Sequence, residues 1–327
     1  MNTPQDDAAF THLDRTQGNP SELSRHSPAT VTARAPGKVN LSLRVGGLDE
    51  SGYHPLINVF QAVSAWEEIV ASARRDDNIV LTVQGPGARF VPLNETNLVA
   101  KAARALQKHT GTHFGASIHI NKGVPVAGGM AGGSADAAAT LVALNALWRL
   151  DLSETDLMTI GATLGADVPF SLFGGTAVGY GRGDELVRIT DAGTYHWVFA
   201  LRAKGLSTPA VFSRFDELTP QGAALNECDN ERLYAALAAG DATSLGKLLH
   251  NDLQIPALDM APDLRQTIET AHDCGALGVL VSGSGPTIAV LARDAEHAVT
   301  VRNELLNAQV CQDALVAQGS VPGAHLV

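Results

Sequence analysis

Four glycines in one short segment are the residues whose type and spacing most plainly suit chemistry. Residues 125–141 read PVAGGMAGGSADAAATL, a glycine loop that runs directly into an alanine-rich, helix-forming stretch. The first N–H groups of a helix are unpaired, and the helix dipole adds positive potential there. Because glycines also let the backbone close around phosphate oxygens, the segment predicts an anion site, and a nucleotide is the expected ligand.

Two common phosphate loops do not fit this segment. The Walker pattern ends in Gly-Lys-Ser/Thr, whereas residues 132–134 are Gly-Gly-Ser and contain no lysine. The dinucleotide pattern needs a glycine two positions after the first, where counting from Gly128 or Gly129 meets Met130 or Ala131. Positive charge for a phosphate must therefore come from elsewhere. The alternative interpretation is a glycine-rich turn that only lets the helix pack closely on a sheet.

Charge and composition narrow the class of protein. The chain has 327 residues, of which 45% are hydrophobic and 17% charged, as is typical of a globular protein. Its formal net charge of −11 argues against nucleic acid as a partner, because nucleic-acid binders need a basic surface. No apolar run reaches the length of a membrane span, so no membrane association is expected.

The amino-terminal residues and the cysteines favour a cytoplasmic protein. Residues 1–30 are polar and lack the apolar core of a signal peptide, so we expect a disordered extension there. Cys228, Cys274 and Cys311 are widely spaced and odd in number, which favours reduced, buried thiols.

Periodic segments flank the glycine loop and would position it. Residues 116–120 alternate as a half-buried strand just before the loop, and Leu141, Leu144 and Trp148 recur at helical spacing after it. Further strands are predicted at 39–45, 59–63, 69–73 and 79–83, and helices at 97–109 and after the capping box of 153–156.

The sequence changes character near residues 191–193, which predicts a domain boundary. A first domain over 31–192 would hold the glycine loop, and a second would cover 193–327. In the second, strands and helices alternate, which suggests an α+β domain. Its expected strands are 197–201, 277–281 and 287–291, with a turn at 282–285, and its expected helices are 210–215, a pair within 231–250, and 263–274.

Three separated segments share one further pattern. They are residues 35–41 (APGKVNL), the glycine loop of 125–139, and residues 282–287 (SGSGPT). In that order they resemble the three motifs of the galactokinase, homoserine kinase, mevalonate kinase and phosphomevalonate kinase (GHMP) superfamily, from about Thr32 onward. The resemblance implies an α+β, two-domain GHMP kinase fold. The first domain would be like the second domain of ribosomal protein S5, and the second would be ferredoxin-like.

Within that superfamily, two shorter strings are similar to the 4-diphosphocytidyl-2-C-methyl-D-erythritol kinases. They are residues 52–61, which begin GYH, and residues 165–170 (GADVPF). The resemblance implies phosphorylation of the 2-hydroxyl of a cytidine diphosphate-linked substrate by ATP, with Mg²⁺, in the non-mevalonate isoprenoid pathway. A cytoplasmic monomer or homodimer is expected. Another GHMP kinase of homoserine or mevalonate type is the alternative, as is a non-catalytic nucleotide or sugar sensor.

The resemblance makes Asp167 and Lys38 the expected catalytic residues. Phosphoryl transfer needs alignment and charge neutralisation, and a carboxylate can orient or deprotonate the acceptor hydroxyl. Read alone, Asp167 could instead cap a short helix that runs to Phe173. Period-two alternation places Lys38 on the same strand face as Asn40, although a solvated strand lysine is the more common case.

The remaining expected contacts also follow from the resemblance. For the nucleotide they are Pro125, Val126, Ala127, Gly128, Gly129, Met130, Ala131, Gly132, Gly133, Ser134, Ala135, Asn97 and Leu98. For the acceptor substrate they are Asn40, Tyr53, His54, Phe60, Lys122, Thr208, Gly283 and Gly285, with Tyr53, His54 and Phe60 expected near the cytosine.

The metal ligands are where the chain departs from the family pattern. Ser134 or Asp136 is expected to approach magnesium, either directly or through a water molecule. Ala135 stands where a second serine is usual, Ala127 replaces a loop glycine, and Gly37 replaces an alanine. These departures put the metal ligands in doubt more than the class of reaction.

Overall fold

The computed structural model describes residues 30–50, 52–126, 128–202, 204–219, 225–226 and 230–327. The predictions for residues 1–29, Ala127 and Cys228 lie outside that part of the chain. Thr30 already belongs to the first strand. Cys274 and Cys311 are both free thiols and are half-buried, less enclosed than expected.

Twelve strands and ten α-helices occur within the described residues. The strands are β1 (Thr30–Val45), β2 (Leu56–Arg74), β3 (Ile79–Gln84), β4 (Gly115–Asn121), β5 (Thr176–Tyr180), β6 (Glu185–Arg188), β7 (Tyr195–Leu201), β8 (His250–Asn251), β9 (Gly278–Val281), β10 (Ile288–Ala292), β11 (Asp313–Gly319) and β12 (His325–Leu326). The helices are α1 (Leu98–Thr110), α2 (Gly132–Trp148), α3 (Glu154–Leu164), α4 (Asp167–Phe173), α5 (Thr208–Leu218), α6 (Glu231–Ala239), α7 (Ala242–Leu248), α8 (Gln254–Met260), α9 (Leu264–Asp273) and α10 (Ala295–Asn307).

Strand β2 is the hub of a single mixed sheet. It pairs antiparallel with β1, β4, β5 and β11, and the main path of the sheet runs β12-β1-β2-β11-β7-β10-β9. The two strands predicted at 59–63 and 69–73 are joined into this one long strand. The residues between them, Ser64-Ala65-Trp66, include no glycine or proline that would favour a turn.

The pairing of β1 with β2 is irregular around Lys38, a predicted catalytic residue. Its register shifts between Pro36 and Gly37, and again between Asn40 and Ser42. Because a bulge bends a strand and redirects its side chains, Lys38 lies on a short segment that is set off from the regular ladder.

Helix α2 forms the centre of the first half of the fold. It packs against β1 and β2 on one side and against α1, α3 and α4 on the others, and most of its side chains are buried. Its alanines, including Ala137, Ala138 and Ala139, let these neighbours approach closely. The N-terminus of α2 is thereby fixed beside the irregular part of β1.

The second half contributes the antiparallel strands β11-β7-β10-β9 to this sheet, and α9 and α10 cover them. It joins the first half through β2–β11 and through the parallel pair β1–β8. The predicted domain boundary at 192/193 falls in the connection between β6 and β7 and stays a prediction. Among the helices of the described residues, none combines the length and the apolar character that crossing a bilayer requires.

Candidate active site

The three glycine-bearing segments that are distant in sequence meet at one place. The backbone N–H of Lys38 donates to the carbonyl of Met130 over 3.2 Å, which ties β1 to the phosphate loop. On the other side, Ser282 Oγ donates to the carbonyl of Gly129, also over 3.2 Å. The loop therefore lies between the strand of the first segment and the turn of the third.

Two glycines allow this close approach. Gly129 has a φ of +74°, and a Cβ built on it would lie 2.1 Å from the carbonyl oxygen of Ser282. Gly283 has a φ of +58°, and a Cβ there would lie 3.2 Å from Lys38 Nζ. Both the left-handed backbone and the lack of space favour glycine. The predicted site residue Gly283 is thus placed directly beside the predicted catalytic lysine.

The phosphate loop ends in a helix N-terminus, as predicted. Ala131 adopts the left-handed conformation, with a φ of +60°, and α2 begins at Gly132. Gly133 is exposed and Ser134 is half-buried, so both are open to a ligand.

Two residues predicted to contact the nucleotide have side chains that face the core. The side chains of Met130 and Ala135 are fully buried, and the backbone N–H of Ala135 already donates to the carbonyl of Ala131 over 2.9 Å. The hydroxyl that is lost where Ala135 replaces the usual second serine would therefore lie in the buried core.

Lys38 and Asn40 lie on the same face of β1, which confirms the alternation read from the sequence. Lys38 Nζ donates to Asn40 Oδ1 over 2.6 Å, and Asn40 Nδ2 donates to Asn58 Oδ1 over 2.8 Å. All three side chains are buried. Burial lowers the pKa of Lys38, and the negative charge of Asp167 opposes that effect. Asn58, on β2, has no chemical signal in the sequence and was missed.

Asp167 is not the cap of its helix, so the alternative role considered for it is wrong. It is the first residue of α4, where Ala166 is the N-cap and no side chain caps the helix. The half-buried carboxylate acts on the charge of Lys38 instead. A lysine and a carboxylate therefore share one electrostatic site next to the phosphate loop.

Lys122 does not have the role that the resemblance implied. Its Nζ lies 2.5 Å from Glu67 Oε1 and 2.6 Å from Asp136 Oδ2, and the three side chains are 3%, 0% and 5% exposed. An ammonium group held by two buried carboxylates is not available to a substrate. The same contact withdraws Asp136 from the expected approach to magnesium.

The two neighbouring residues predicted to recognise cytosine, Tyr53 and His54, have different environments in the structure. Tyr53 is exposed, whereas the ring of His54 is packed 5.3 Å from that of Phe212 on α5. His54 Nδ1 donates to the carbonyl of Gly46 over 2.8 Å, and Nε2 lies 3.3 Å from Asp216 Oδ1. The His54 ring is therefore held within the fold by these contacts, whereas the Tyr53 side chain is exposed.

Phe60 belongs to the apolar core. It is fully buried and stacks on Phe170 at a centroid distance of 4.8 Å. Its ring centroid lies 6.0 Å from Lys38 Nζ, so it forms part of the apolar floor beneath the lysine. Its predicted contact with the cytosine is wrong for that reason.

The predicted adenine contacts lie beside the loop but differ in character. Asn97 caps α1 by accepting from the N–H of Val99 over 2.8 Å, so its side chain is already used. Leu98 Cδ1 lies 3.5 Å from the Cβ position of Gly133, next to the start of α2.

Exposed apolar side chains flank the same loop: Val126, which was predicted to contact the nucleotide, and Phe90 and Leu93, which the sequence did not single out. Val126 lies against Gly87, at 2.9 Å from its Cβ position, and the neighbouring Phe90 and Leu93 are exposed. An apolar surface at the edge of an anion loop suits a nucleobase.

The turn of the third segment is held by residues from two other elements. Asn251 Nδ2 donates to the carbonyls of Val281 and Gly283, each over 2.7 Å. Thr208, the first residue of α5, is hydrogen-bonded through Oγ1 to Ser284 Oγ over 2.8 Å. Thr208 therefore lies against the turn, its contact with the substrate stays a prediction, and Asn251 is a positioning residue that no local pattern reveals.

The side chains around the loop fit a magnesium ion in part. Mg²⁺ prefers oxygen ligands, and the half-buried Ser134 offers a hydroxyl in the first turn of α2. Asp136 does not fit, because Lys122 holds it in the core. Among the described residues, no group of three or more His, Cys, Asp or Glu side chains could hold a metal ion by itself.

Comparison with known proteins agrees with this arrangement. Residues 97–175 match the family described as GHMP kinases N terminal domain, and residues 233–310 match GHMP kinases C terminal. The 4-diphosphocytidyl-2-C-methyl-D-erythritol kinase of Rhodococcus jostii is 51% identical over 92% of this chain and 96% of its own length. The protein of the same name from Thermobifida fusca is 48% identical over 92% of this chain and all of its own length.

Solved structures show the same fold. A crystal structure of 4-(cytidine 5'-diphospho)-2C-methyl-D-erythritol kinase has a TM-score of 0.73 at 29% identity and covers 89% of this chain and 99% of its own. Homoserine kinase from Cytophaga hutchinsonii, at 19% identity over 98% of this chain and all of its own, has a TM-score of 0.72 and shows a shared fold. The chain belongs to the 4-diphosphocytidyl-2-C-methyl-D-erythritol kinase family of GHMP kinases.

Proposed function

We propose that the protein transfers the γ-phosphoryl group of ATP to the 2-hydroxyl of 4-diphosphocytidyl-2-C-methyl-D-erythritol. This compound gives its relatives from Rhodococcus jostii and Thermobifida fusca their name. The observation that carries the proposal is the meeting of Lys38, the phosphate loop and the turn of 282–285 at one point, with Asp167 acting on the lysine.

The chemistry follows from the groups at that point. The acceptor oxygen attacks the γ-phosphorus, the bond to the β-bridging oxygen breaks, and ADP leaves. Asp167 orients the acceptor hydroxyl and takes its proton, while the ammonium of Lys38 stabilises charge that develops on the transferred phosphoryl oxygens. Asn40 and Asn58 hold Lys38 in place for this task.

Magnesium would neutralise charge on the β- and γ-phosphates, with Ser134 as the side chain that would hold it.

Helix α5 extends from this centre to the residues that are expected to lie near the pyrimidine. It begins at Thr208, against Ser284 of the turn, and carries Phe212 against His54. Four helical residues advance about 6 Å, so the contact between Phe212 and His54 lies about one turn further along the same helix than Thr208. A diphosphate-linked nucleoside is a substrate long enough to occupy both places.

A panel of acceptors tests the assignment. ADP release should be rapid with the cytidine diphosphate-linked substrate and at background with homoserine, mevalonate and the methylerythritol phosphate that lacks cytidine. Equal turnover of homoserine or mevalonate would contradict the substrate assignment. Binding of ATP and substrate without any ADP release would instead support a sensor.

Substitution of two exposed aromatic residues should distinguish the binding site of the cytidine substrate from that of ATP. Tyr53 and Phe90 are 57% and 66% exposed, so neither truncation should harm the core. Tyr53→Ala should raise KM for the cytidine substrate about tenfold at unchanged KM for ATP, since base stacking contributes about 1–3 kcal/mol. Phe90→Ala should do the reverse. Each variant serves as the control for the other, and a parallel change in both constants would argue against separate pockets.

A further inference from the structure

The ion triad of Glu67, Lys122 and Asp136 has no part in the chemistry described above, yet it lies directly beneath the phosphate loop. Its members come from β2, from the segment after β4 and from the second turn of α2. A Cβ built on Gly132 would lie 3.0 Å from Glu67 Oε1. The glutamate carboxyl therefore touches the backbone at which the anion-binding helix begins.

The triad also ties the loop to its surroundings. Glu67 Oε2 accepts from the N–H of Gly123 over 3.0 Å, which fixes the chain just before the loop. The next residue, Val124, packs within 3.3 Å of the Cβ positions of both Gly132 and Gly37. Glu67 and its neighbours thus connect the start of α2 to the strand that carries Lys38.

The charges of the triad do not balance when all three groups are ionised. Two carboxylates and one ammonium leave one negative charge under a loop that must accept phosphate. Asp136 Oδ1 is buried with no hydrogen-bond partner among the described residues, so the protein does not compensate that extra charge.

One additional proton would remove this charge. Burial and the nearby Asp136 raise the pKa of Glu67 to about 8, despite the opposing effect of Lys122. Burial lowers the pKa of Lys122, but the two carboxylates outweigh it and the net direction is upward. Burial also raises the pKa of Asp136, to about 6. Near neutral pH the two carboxyl groups therefore hold one proton between them, and Glu67, which has the higher pKa, ionises as the pH rises through about 8.

We propose that Glu67, Lys122 and Asp136 are positioning residues for ATP, which hold the start of α2 in place and keep the floor of the phosphate loop free of net charge. This inference rests on the proposed nucleotide site. Ionisation of Glu67 then places a negative charge beneath the phosphates and weakens ATP binding.

The charged groups that act on Glu67 come from two of the elements around it. Asp136 faces it from α2 and Lys122 from the segment after β4, whereas β1 places uncharged Ala35 opposite it. Lys38 also titrates abnormally, because burial lowers its pKa. Its contribution is unchanged in a Glu67 variant, so a comparison of variants separates the two groups.

The test measures ATP affinity by calorimetry at constant ionic strength between about pH 7 and pH 9, where the phosphates of ATP stay ionised. Wild-type affinity should weaken about tenfold across this range, as expected for one added buried charge near the phosphates. Glu67→Gln, which keeps the shape and cannot ionise, should lose most of that dependence.

Glu68→Gln is the matched control, because Glu68 is the next residue and accepts from Asn121 Nδ2 over 2.7 Å on the opposite side of the strand. It should retain the full wild-type pH dependence. The inference is overturned if wild-type affinity is constant, if Glu67→Gln weakens as wild type does, or if Glu67→Gln fails to fold or to bind ATP at neutral pH. Absence of ATP binding by the wild type at every pH would instead overturn the proposed function.

Discussion

Replacement of Asp167 by asparagine should lower kcat by about 10²- to 10⁴-fold, the usual effect of losing a general base. Asparagine keeps the size of the side chain but cannot take the proton of the acceptor hydroxyl. Affinity for ATP should stay within about threefold of wild type, because the phosphate loop does not depend on this carboxylate. Single-turnover kinetics and ATP titration measure the two quantities separately.

The pH profile of the residual activity provides a second signature. Burial lowers the pKa of Lys38, and the charge of Asp167 partly restores it. Removal of that charge should lower the pKa of Lys38 further, so the lysine loses its proton at a lower pH. The alkaline fall in activity of Asp167→Asn should therefore begin at a lower pH than in wild type.

Glu154→Gln is the control for a purely structural effect. Glu154 is the first residue of α3, as Asp167 is of α4, so both variants remove a negative charge from a helix N-terminus. The control should keep wild-type kcat and an unchanged pH profile. If Asp167→Asn retained kcat within about threefold of wild type, its carboxylate would not take part in the transfer step.

The parts of the site that follow from local pattern were predictable from the sequence. Alternation placed Lys38 and Asn40 on one face, and the glycine run predicted a phosphate loop before α2. The capping box at Ser153 and Asp156 is present as read. In each case neighbours in the sequence determine the geometry.

The parts that depend on contacts between distant residues were not predictable. Lys122 looked like a free cation because its partner Glu67 is 55 residues away, and nothing near either residue indicates the pairing. Phe60 was assigned to the cytosine by the resemblance to the family. Pairing of β2 with β5 and stacking on Phe170 place it in the core instead. Tertiary packing decides which side of an element faces a ligand.

The contact between the phosphate loop and the turn of 282–285 makes a second strong prediction. Gly129→Ala should lower kcat/KM for ATP by about a hundredfold or more, because misplacement of reacting groups by about 1 Å has an effect of that size. The added methyl group would meet the carbonyl oxygen of Ser282 at 2.1 Å and approach the N–H of Gly285 at 3.4 Å. Both are backbone atoms, so the turn must move away from the loop.

That movement would separate groups on both sides of the site. The hydrogen bond from Ser282 Oγ to Gly129 would be lost, and Gly283 would no longer lie against Lys38 Nζ. Both the nucleotide and the lysine would then be misaligned, so KM for ATP and kcat should change together. Steady-state kinetics with ATP varied at saturating acceptor would show this.

Gly111→Ala separates the steric effect from backbone strain. Gly111 has a φ of +70°, close to the +74° of Gly129, but a Cβ there meets no atom within 4 Å. Both variants therefore carry a similar conformational cost of about 1–2 kcal/mol in the free energy of unfolding. Only Gly129→Ala adds a clash with backbone. Wild-type kinetics for Gly111→Ala, with a large loss for Gly129→Ala, would show that close contact of the two segments is what assembles the site. Equal kinetics for both variants would mean that the phosphate loop binds ATP without the turn.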